Sequence, residues 1–245
     1  MVKIPKSHPR YRSLRTRDNI VDGVEKGITS IHGLIAHGRG EAFDYLLGEK
    51  TQNFSQNSIK AAASLLLLAK KAVISVNGNA AALATKELVK LSKILSAQLE
   101  VNIFHTDRKR EKNIKKHLNS LGAKKVLMPG NAIIKGLDHN RKYCNKEGIY
   151  KADVVFVPLE DGDRCLALRK AGKKVITIDL NPLSRTSKAA TITIVDNITR
   201  ALPLLIKTIK KYKSSNKKQL KDKIKKYNNK STLKESLKYI SKRFS

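Results

Sequence analysis

Apolar positions in the first seventy residues recur at helical spacing. Ile20, Val21 and Val24 share one face ahead of Gly27, and Ile31, Leu34 and Ile35 share another after Ser30. The spacing predicts one helix stopping at Gly27, a second ending near Gly38, and a third from Gly40 to Gly48 through Ala42, Phe43, Leu46 and Leu47. Residues 58–71, SIKAAASLLLLAKK, form a strong alanine- and leucine-rich helix with lysines in its last turn. From residue 72 the texture changes. Short apolar runs at 72–76, 99–104, 125–128, 153–157, 175–178 and 191–195 alternate with helical stretches, and a long loop spans about 131–152. Runs this short, rich in Val, Ile and Thr, read as strands buried on both faces. About six strands alternating with helices predict a doubly wound, mostly parallel α/β sheet, preceded by a helical N-terminal region. No internal repeat interrupts it.

The organisation expected is a helical region over 1–71 packed on an α/β core over 72–212, followed by a lysine-rich extension over 213–245. In that extension Leu220, Ile224 and Tyr227 form one stripe, and Leu233, Leu237, Ile240 and Phe244 form another. Thr232 and Glu235 have the spacing of a capping box. Two short amphipathic helices that dock on the body or on a second subunit are expected.

Charge changes the picture of partners. Fifty-one basic against 20 acidic residues give a net charge of +31. One reading is a polyanion partner, because each neutralised phosphate releases counterions; the other is solvated lysine-rich helix faces. Aromatic residues are only 5% of the chain, too few for base-stacking segments, and zinc-finger, RRM and KH signatures are missing. Nucleic-acid binding by the basic tail is therefore kept open but not expected as the main function, while small anions should be attracted. Cys144 and Cys165 show no CxxC spacing, which argues against a disulfide framework or a structural zinc and fits a reducing cytoplasm. The chain has no apolar stretch long enough for a bilayer, and its opening residues do not resemble a signal peptide, so no membrane partner is expected.

Chemistry-bearing residues fall repeatedly just after predicted strands, where open α/β sheets bind ligands. Asn77-Gly78-Asn79 can hold a phosphate or carboxylate at a helix start, or simply form a capped turn. Glu160, Asp161 and Asp163 offer oxygen ligands for Mg²⁺, or cap the following helix. Asp179-Leu180-Asn181 and Asp196-Asn197-Ile198 end the last two strands, with Ser184-Arg185-Thr186 between them, a plausible nucleotide cradle. His37-Gly38-Arg39-Gly40-Glu41 stands where one predicted helix stops and the next begins, so Arg39 and helix amides could meet an anion there. It is not a dinucleotide fingerprint, since it follows a helix and Phe43 replaces the third glycine. His105 and His139 lack HxH or HExxH partners and read as non-metal. GxxxxGK[ST] and GxSxG are both missing. An enzyme acting on an anionic small molecule is the preferred reading, beside a nucleic-acid binder and a nucleotide-binding regulator without turnover.

The segments SHPRYRSL, GITSIHGLIAHGRGEAFDYLLGEKT, ISVNGN, LEVNIFH, EGIYKADVVFVPLEDGDR and VITIDLNPLSRTSKAATITIVDNITRALP occur in that order. Together they resemble the archaeal phosphopantothenate synthetase family, also called 4-phosphopantoate–β-alanine ligase. The resemblance covers residues 4–212 and implies ATP-dependent joining of 4-phosphopantoate to β-alanine, with release of AMP and pyrophosphate, on the route to coenzyme A. It also implies a homodimer with a Rossmann-like core. The family's ATP contacts fall on Arg17, Arg39, Asp179, Leu180, Asn181, Arg185, Thr186, Asn197 and Ile198. On that footing Arg17, Arg39 and Arg185 are expected on phosphates, and Asp179 or Asn181 on ribose or adenine. Asn77, Gly78 and Asn79 are expected on phosphopantoate, Mg²⁺ among Glu160, Asp161 and Asp163, and His37 either near the amine proton or in a purely structural turn. An acyl-adenylate is the expected intermediate, and release of ADP would mark an acyl-phosphate ligase instead.

Overall fold

Three helices come first: α1 (Tyr11–Glu25), α2 (Ile31–Leu46) and α3 (Asn53–Leu68). The structure is a computed structural model and describes residues 4–104 and 107–244, so His105 lies outside the described residues. The two helices expected on either side of Gly38 are one continuous helix, α2. A glycine inside a helix costs only about 1 kcal/mol relative to alanine, and α2 is held along its length by the contacts described below.

The alternating region follows. It comprises β1 (Ala72–Val76), α4 (Gly78–Leu95), β2 (Gln98–Val101), α5 (Arg108–Ser120) and β3 (Val126–Leu127). The expected long loop contains a small antiparallel hairpin, β4 (Ala132–Ile133) and β5 (Tyr143–Cys144), with single 3-10 turns at Asn140–Lys142 and Ile149–Lys151. Then come β6 (Val154–Pro158), α6 (Gly162–Lys170), β7 (Lys174–Ile178), α7 (Arg185–Ala189), β8 (Ile192–Ile194) and α8 (Ile198–Tyr212). Helix α8 is capped by Asn197, whose side chain accepts from the Thr199 amide at 3.1 Å.

Six strands form one sheet in the order β3-β2-β1-β6-β7-β8, and every pairing is parallel. Chain direction along the sheet reverses between β1 and β6, which is the switch point of a Rossmann-like, doubly wound fold. The period-2 alternation of strands divides the core. Ile74, Val76, Leu99, Val101, Phe156, Ile176, Ile178 and Ile194 meet apolar residues of α3, α4 and α8 on one face. Val73, Val155, Val157 and Val175 meet α6 and the 132–152 connection on the other.

The extension folds as α9 (Lys217–Lys225) and α10 (Asn229–Ser241), both amphipathic and both docked on the body. Leu220 and Leu233 are buried, Ile224 and Tyr227 pack on the main core, and the Tyr227 hydroxyl donates to the Thr193 carbonyl at 3.3 Å. The capping box lies at Asn216 and Gln219. Thr232 and Glu235 do not form one, because Asn228 caps α10 four residues earlier and Thr232 is buried inside the helix.

Candidate active site

Helix α2 lies along the carboxyl-end rim of the sheet. Near its start Gly33 faces Asn79 after β1, further on Gly40 faces Leu180 after β7, and near its end Asp44 meets Asn197 after β8. The close approach explains Gly33. A methyl there would collide with the Asn79 carboxamide and the Thr29 hydroxyl. A side chain on Gly40 would sit 3.6 Å from Leu180 Cδ1, in ordinary contact. Since His37–Glu41 are mid-helix, the expected helix N-terminus at Arg39 does not exist, and anion attraction there rests on the guanidinium alone.

At the switch point a cavity of about 330 Å³ lies between the ends of β1, β2 and β6 and the first half of α2. Asn77, Gly78 and Asn79 line it, with Arg39, Arg110 and Arg141. Asn77 caps α4, accepting from the Ala80 amide at 2.9 Å and donating to the Pro158 and Leu159 carbonyls at 3.0 and 2.8 Å. Asn79 donates to the Gly33 carbonyl at 2.9 Å and accepts from Thr29. Both carboxamides are thus engaged with the frame, and Arg141 with Glu160 and Asp161, leaving the α4 N-terminus and Arg39 among the groups for an anion.

A second cavity, also about 330 Å³, lies where the chain before α1 meets α2 and α8. His37, Glu41 and Asp44, spaced along one side of α2, line it together with Arg10, Arg12, Asn197 and Arg200. Arg200 bonds both Asp44 (2.5 Å) and Asp196 (2.7 Å), Thr51 donates to Asp196 at 2.6 Å, and Asn197 donates to Asp44 at 2.9 Å. Arg17 bonds Glu41 at 2.9 Å and the Tyr45 hydroxyl. Burial holds the His37 imidazole below its usual pKa, and its Nε2 has no hydrogen-bond partner among the described residues. The two residues expected to be catalytic, His37 and Arg39, therefore face different cavities.

The nucleotide-type residues after β7 occupy an ordered turn. Asp179 accepts from the Asn181 amide (2.9 Å) and the Ser184 hydroxyl (2.5 Å), and burial pushes its carboxyl up. Ser184 caps α7, the Thr186 hydroxyl donates to the Glu160 carbonyl at 2.8 Å, and Leu180 and Ile198 are buried. Arg185, 75% exposed, pairs with Asp163.

The three acids expected to gather around Mg²⁺ do not. Glu160 is buried between Arg141 and Arg164, Asp161 pairs with Arg141, and Asp163 pairs with Arg185. Among the described residues no group of three acidic, histidine or cysteine side chains converges on a metal position. Carboxylates neutralised by guanidinium do not fit a hard cation, because each would first have to give up its arginine.

Sequence reading missed Arg110, Arg141 and Arg200. Arg200 lies one helical turn after Asp196, a spacing that could have flagged it. Arg141 carries no local signal; only the folding of 132–152 brings it to Asn102 (2.9 Å), Glu160 and Asp161.

Fold and rim define an α/β protein of the Rossmann-like class with an arginine-lined cavity at its switch point. The family profile for phosphopantothenate/pantothenate synthetase matches residues 54–243. The chain is 50% identical over 245 residues to a 4-phosphopantoate–beta-alanine ligase of Thermococcus onnurineus, covering 99% of this chain and 94% of that one. It is 48% identical to the ligase so named from Thermococcus kodakarensis, with the same coverage, and 51% identical over 240 residues to that from Methanosarcina mazei, covering 98% and 95%. The chain belongs to the phosphopantothenate/pantothenate synthetase family, and it is an enzyme that forms a carbon–nitrogen bond.

Proposed function

We propose that the chain joins 4-phosphopantoate to β-alanine with ATP, giving 4′-phosphopantothenate, AMP and pyrophosphate in coenzyme A biosynthesis. The observation that carries this reading is the match, near half identity, along almost the whole length of relatives named for that ligation. A carboxylate and an amine do not condense unaided, since oxide is too poor a leaving group. In the proposed route a carboxylate oxygen attacks the ATP α-phosphorus, the bond to the bridging oxygen breaks, and pyrophosphate departs with the electron pair. The amine of β-alanine then attacks the acyl carbon, the carbon–oxygen bond to AMP breaks, and the amide nitrogen sheds its remaining extra proton.

Positive charge placed where negative charge develops is the principal catalytic requirement. The α2 rim supports that, carrying Arg39 to the switch-point cavity, with Arg17 on α1 and Arg185 on α7 as further phosphate contacts. Asp179, Leu180, Asn181, Thr186, Asn197 and Ile198 would frame the nucleoside, and Gly78 with its neighbours would seat phosphopantoate at the α4 N-terminus. His37 is assigned to proton handling, supported by an imidazole whose pKa burial lowers and whose Nε2 has no hydrogen-bond partner among the described residues. No step is assigned to a metal held by Glu160, Asp161 or Asp163. The reading includes a homodimer, for which the exposed Ile31 and Ile35, one turn apart on α2, are a natural contact. It places the enzyme in the cytoplasm, in keeping with two free, buried thiols; no helix among the described residues is long and apolar enough to cross a membrane.

Nucleotide product analysis tests the reaction. Protein, ATP with Mg²⁺, 4-phosphopantoate and β-alanine should yield AMP and pyrophosphate only when both organic substrates are present. ADP as the product would keep the ligation and eliminate the adenylate. Nucleotide binding without any turnover would eliminate the ligase reading altogether.

A further inference from the structure

A third cavity, of about 430 Å³, opens beyond the carboxyl ends of β2 and β3, between α5 and the β4–β5 hairpin. Asn102, Arg108, Glu111, Asn131, Asn140 and Tyr143 stand on its wall. It adjoins the switch-point cavity, because Ile103 lines both and because Arg141 of the one donates to Asn102 of the other at 2.9 Å. No residue expected from the sequence to bind ATP or phosphopantoate reaches it.

Glu111 is the unusual member. It is only 2% exposed, and its Oε2 is buried without a hydrogen-bond partner among the described residues. Burial pushes its carboxyl above the usual range, and Arg108 and Arg110 only partly oppose this. A carboxylate in the first turn of α5 favours the helix dipole from an exposed position, so the dipole does not account for its burial. A buried, unpaired carboxylate oxygen costs free energy that a cation can return. Arg108, exposed and one turn before Glu111 on the same side of α5, brings the opposite charge to the same cavity. An acid and a base on one wall match the two ends of a zwitterion.

We propose that Glu111 receives the ammonium group of the amino-acid substrate and Arg108 its carboxylate, making this cavity the amine subsite. The inference rests on the ligase reading and deepens it. The shared wall at Ile103 and Asn102 then sets the amine beside the cavity assigned to the activated acid.

The test uses the full chain with ATP, Mg²⁺ and 4-phosphopantoate. Ligation to β-alanine is compared with hydroxamate formation from hydroxylamine, a neutral nucleophile that needs no seat for an ammonium. Glu111→Gln should raise the β-alanine KM by more than about tenfold and leave hydroxamate formation within about twofold. An unchanged β-alanine KM overturns the proposal, and so does equal loss of both activities, which would make Glu111 structural. The unaltered protein supplies an independent measurement. N,N-dimethyl-β-alanine, cationic but unable to become the amide, should compete with β-alanine, and propionate, which lacks the ammonium, should compete at least about tenfold more weakly. Equal competition overturns the subsite without any variant. Failure of the ligase reading looks different, for the unaltered protein would then make neither amide nor hydroxamate.

Discussion

Arg141 and Arg200 each hold two carboxylates, and Arg164 shares Glu160 with Arg141 in an interior where Arg164 is fully buried. Such pairs offset their desolvation only when both partners remain, so they act more as fixed geometry than as net stability. Glu100 is different. It sits on β2 beneath the hairpin connection, accepting from the Asn145 amide at 2.9 Å and the Ile149 amide at 2.7 Å, and burial pushes its carboxyl up to about 7. Between its ordinary pKa and about 7 the folded chain retains a proton that the unfolded chain has released. Its contribution to stability is therefore complete below the ordinary value and is lost as pH rises through about 7. His37 and His117, both lowered by burial, act oppositely and are expected to lose stability as pH falls below their usual range. Comparison with Glu100→Gln separates the two. The melting temperature of the unaltered chain relative to the variant should fall from about pH 5 to about pH 8, by an amount corresponding to at most about 3 kcal/mol. A difference that is flat with pH would mean Glu100 stays ionised throughout.

At the scale of elements, α2 and its glycines organise the rim. The helix runs past the ends of β1, β7 and β8, and its last carbonyls, those of Tyr45 and Leu46, accept from Arg243 beyond α10 at 2.9 and 3.1 Å. The extension thus completes the helix that carries Arg39. Gly33→Ala puts a methyl into the Asn79–Thr29 contact, which ties the start of α2 to the first turn of α4. The variant should lose about 1–3 kcal/mol of stability and bind phosphopantoate more weakly, read by denaturant melts and by the phosphopantoate KM. If both match the unaltered chain, α2 is not seated against the switch point as described. Conversely, the break expected near Gly38 shows how local signals mislead. Glycine weakens a helix by an amount that several tertiary contacts along α2 outweigh.

The molecule as a whole carries a net charge of +31, and the extension alone has twelve basic and two acidic residues. With the apolar stripes of α9 and α10 turned to the body, most of those lysines project into solvent and repel one another. Raising salt from about 20 mM to about 500 mM shortens the screening length several-fold and should raise the melting temperature by more than about 3 °C. A fall instead would mean that surface ion pairs such as Lys26–Asp22 outweigh the repulsion.

Much of this architecture was written in local pattern. Strand and helix periods, the six apolar runs and the polar residues closing them are short-range properties, each decided by a few neighbouring side chains, so the α/β sheet and the rim position of Asn77, Asp179 and Asn197 could be read without coordinates. The family resemblance added the ligase, for which half-identical relatives speak. What local pattern could not contain was pairing across distance. Whether Glu160 meets a metal or two arginines depends on Arg141, nineteen residues earlier in a connection with no regular period, and on how that connection folds. Arg39 and His37 are two residues apart, yet a continuous helix turns them toward different cavities. Glu111 reads in sequence as one acid in a charged helix; only the fold buries it beside the third cavity with an oxygen that has no partner among the described residues. Sequence indicated most of the elements and the rim on which the chemistry is proposed, because both are short-range patterns, and tertiary structure decided which charges are spent on one another.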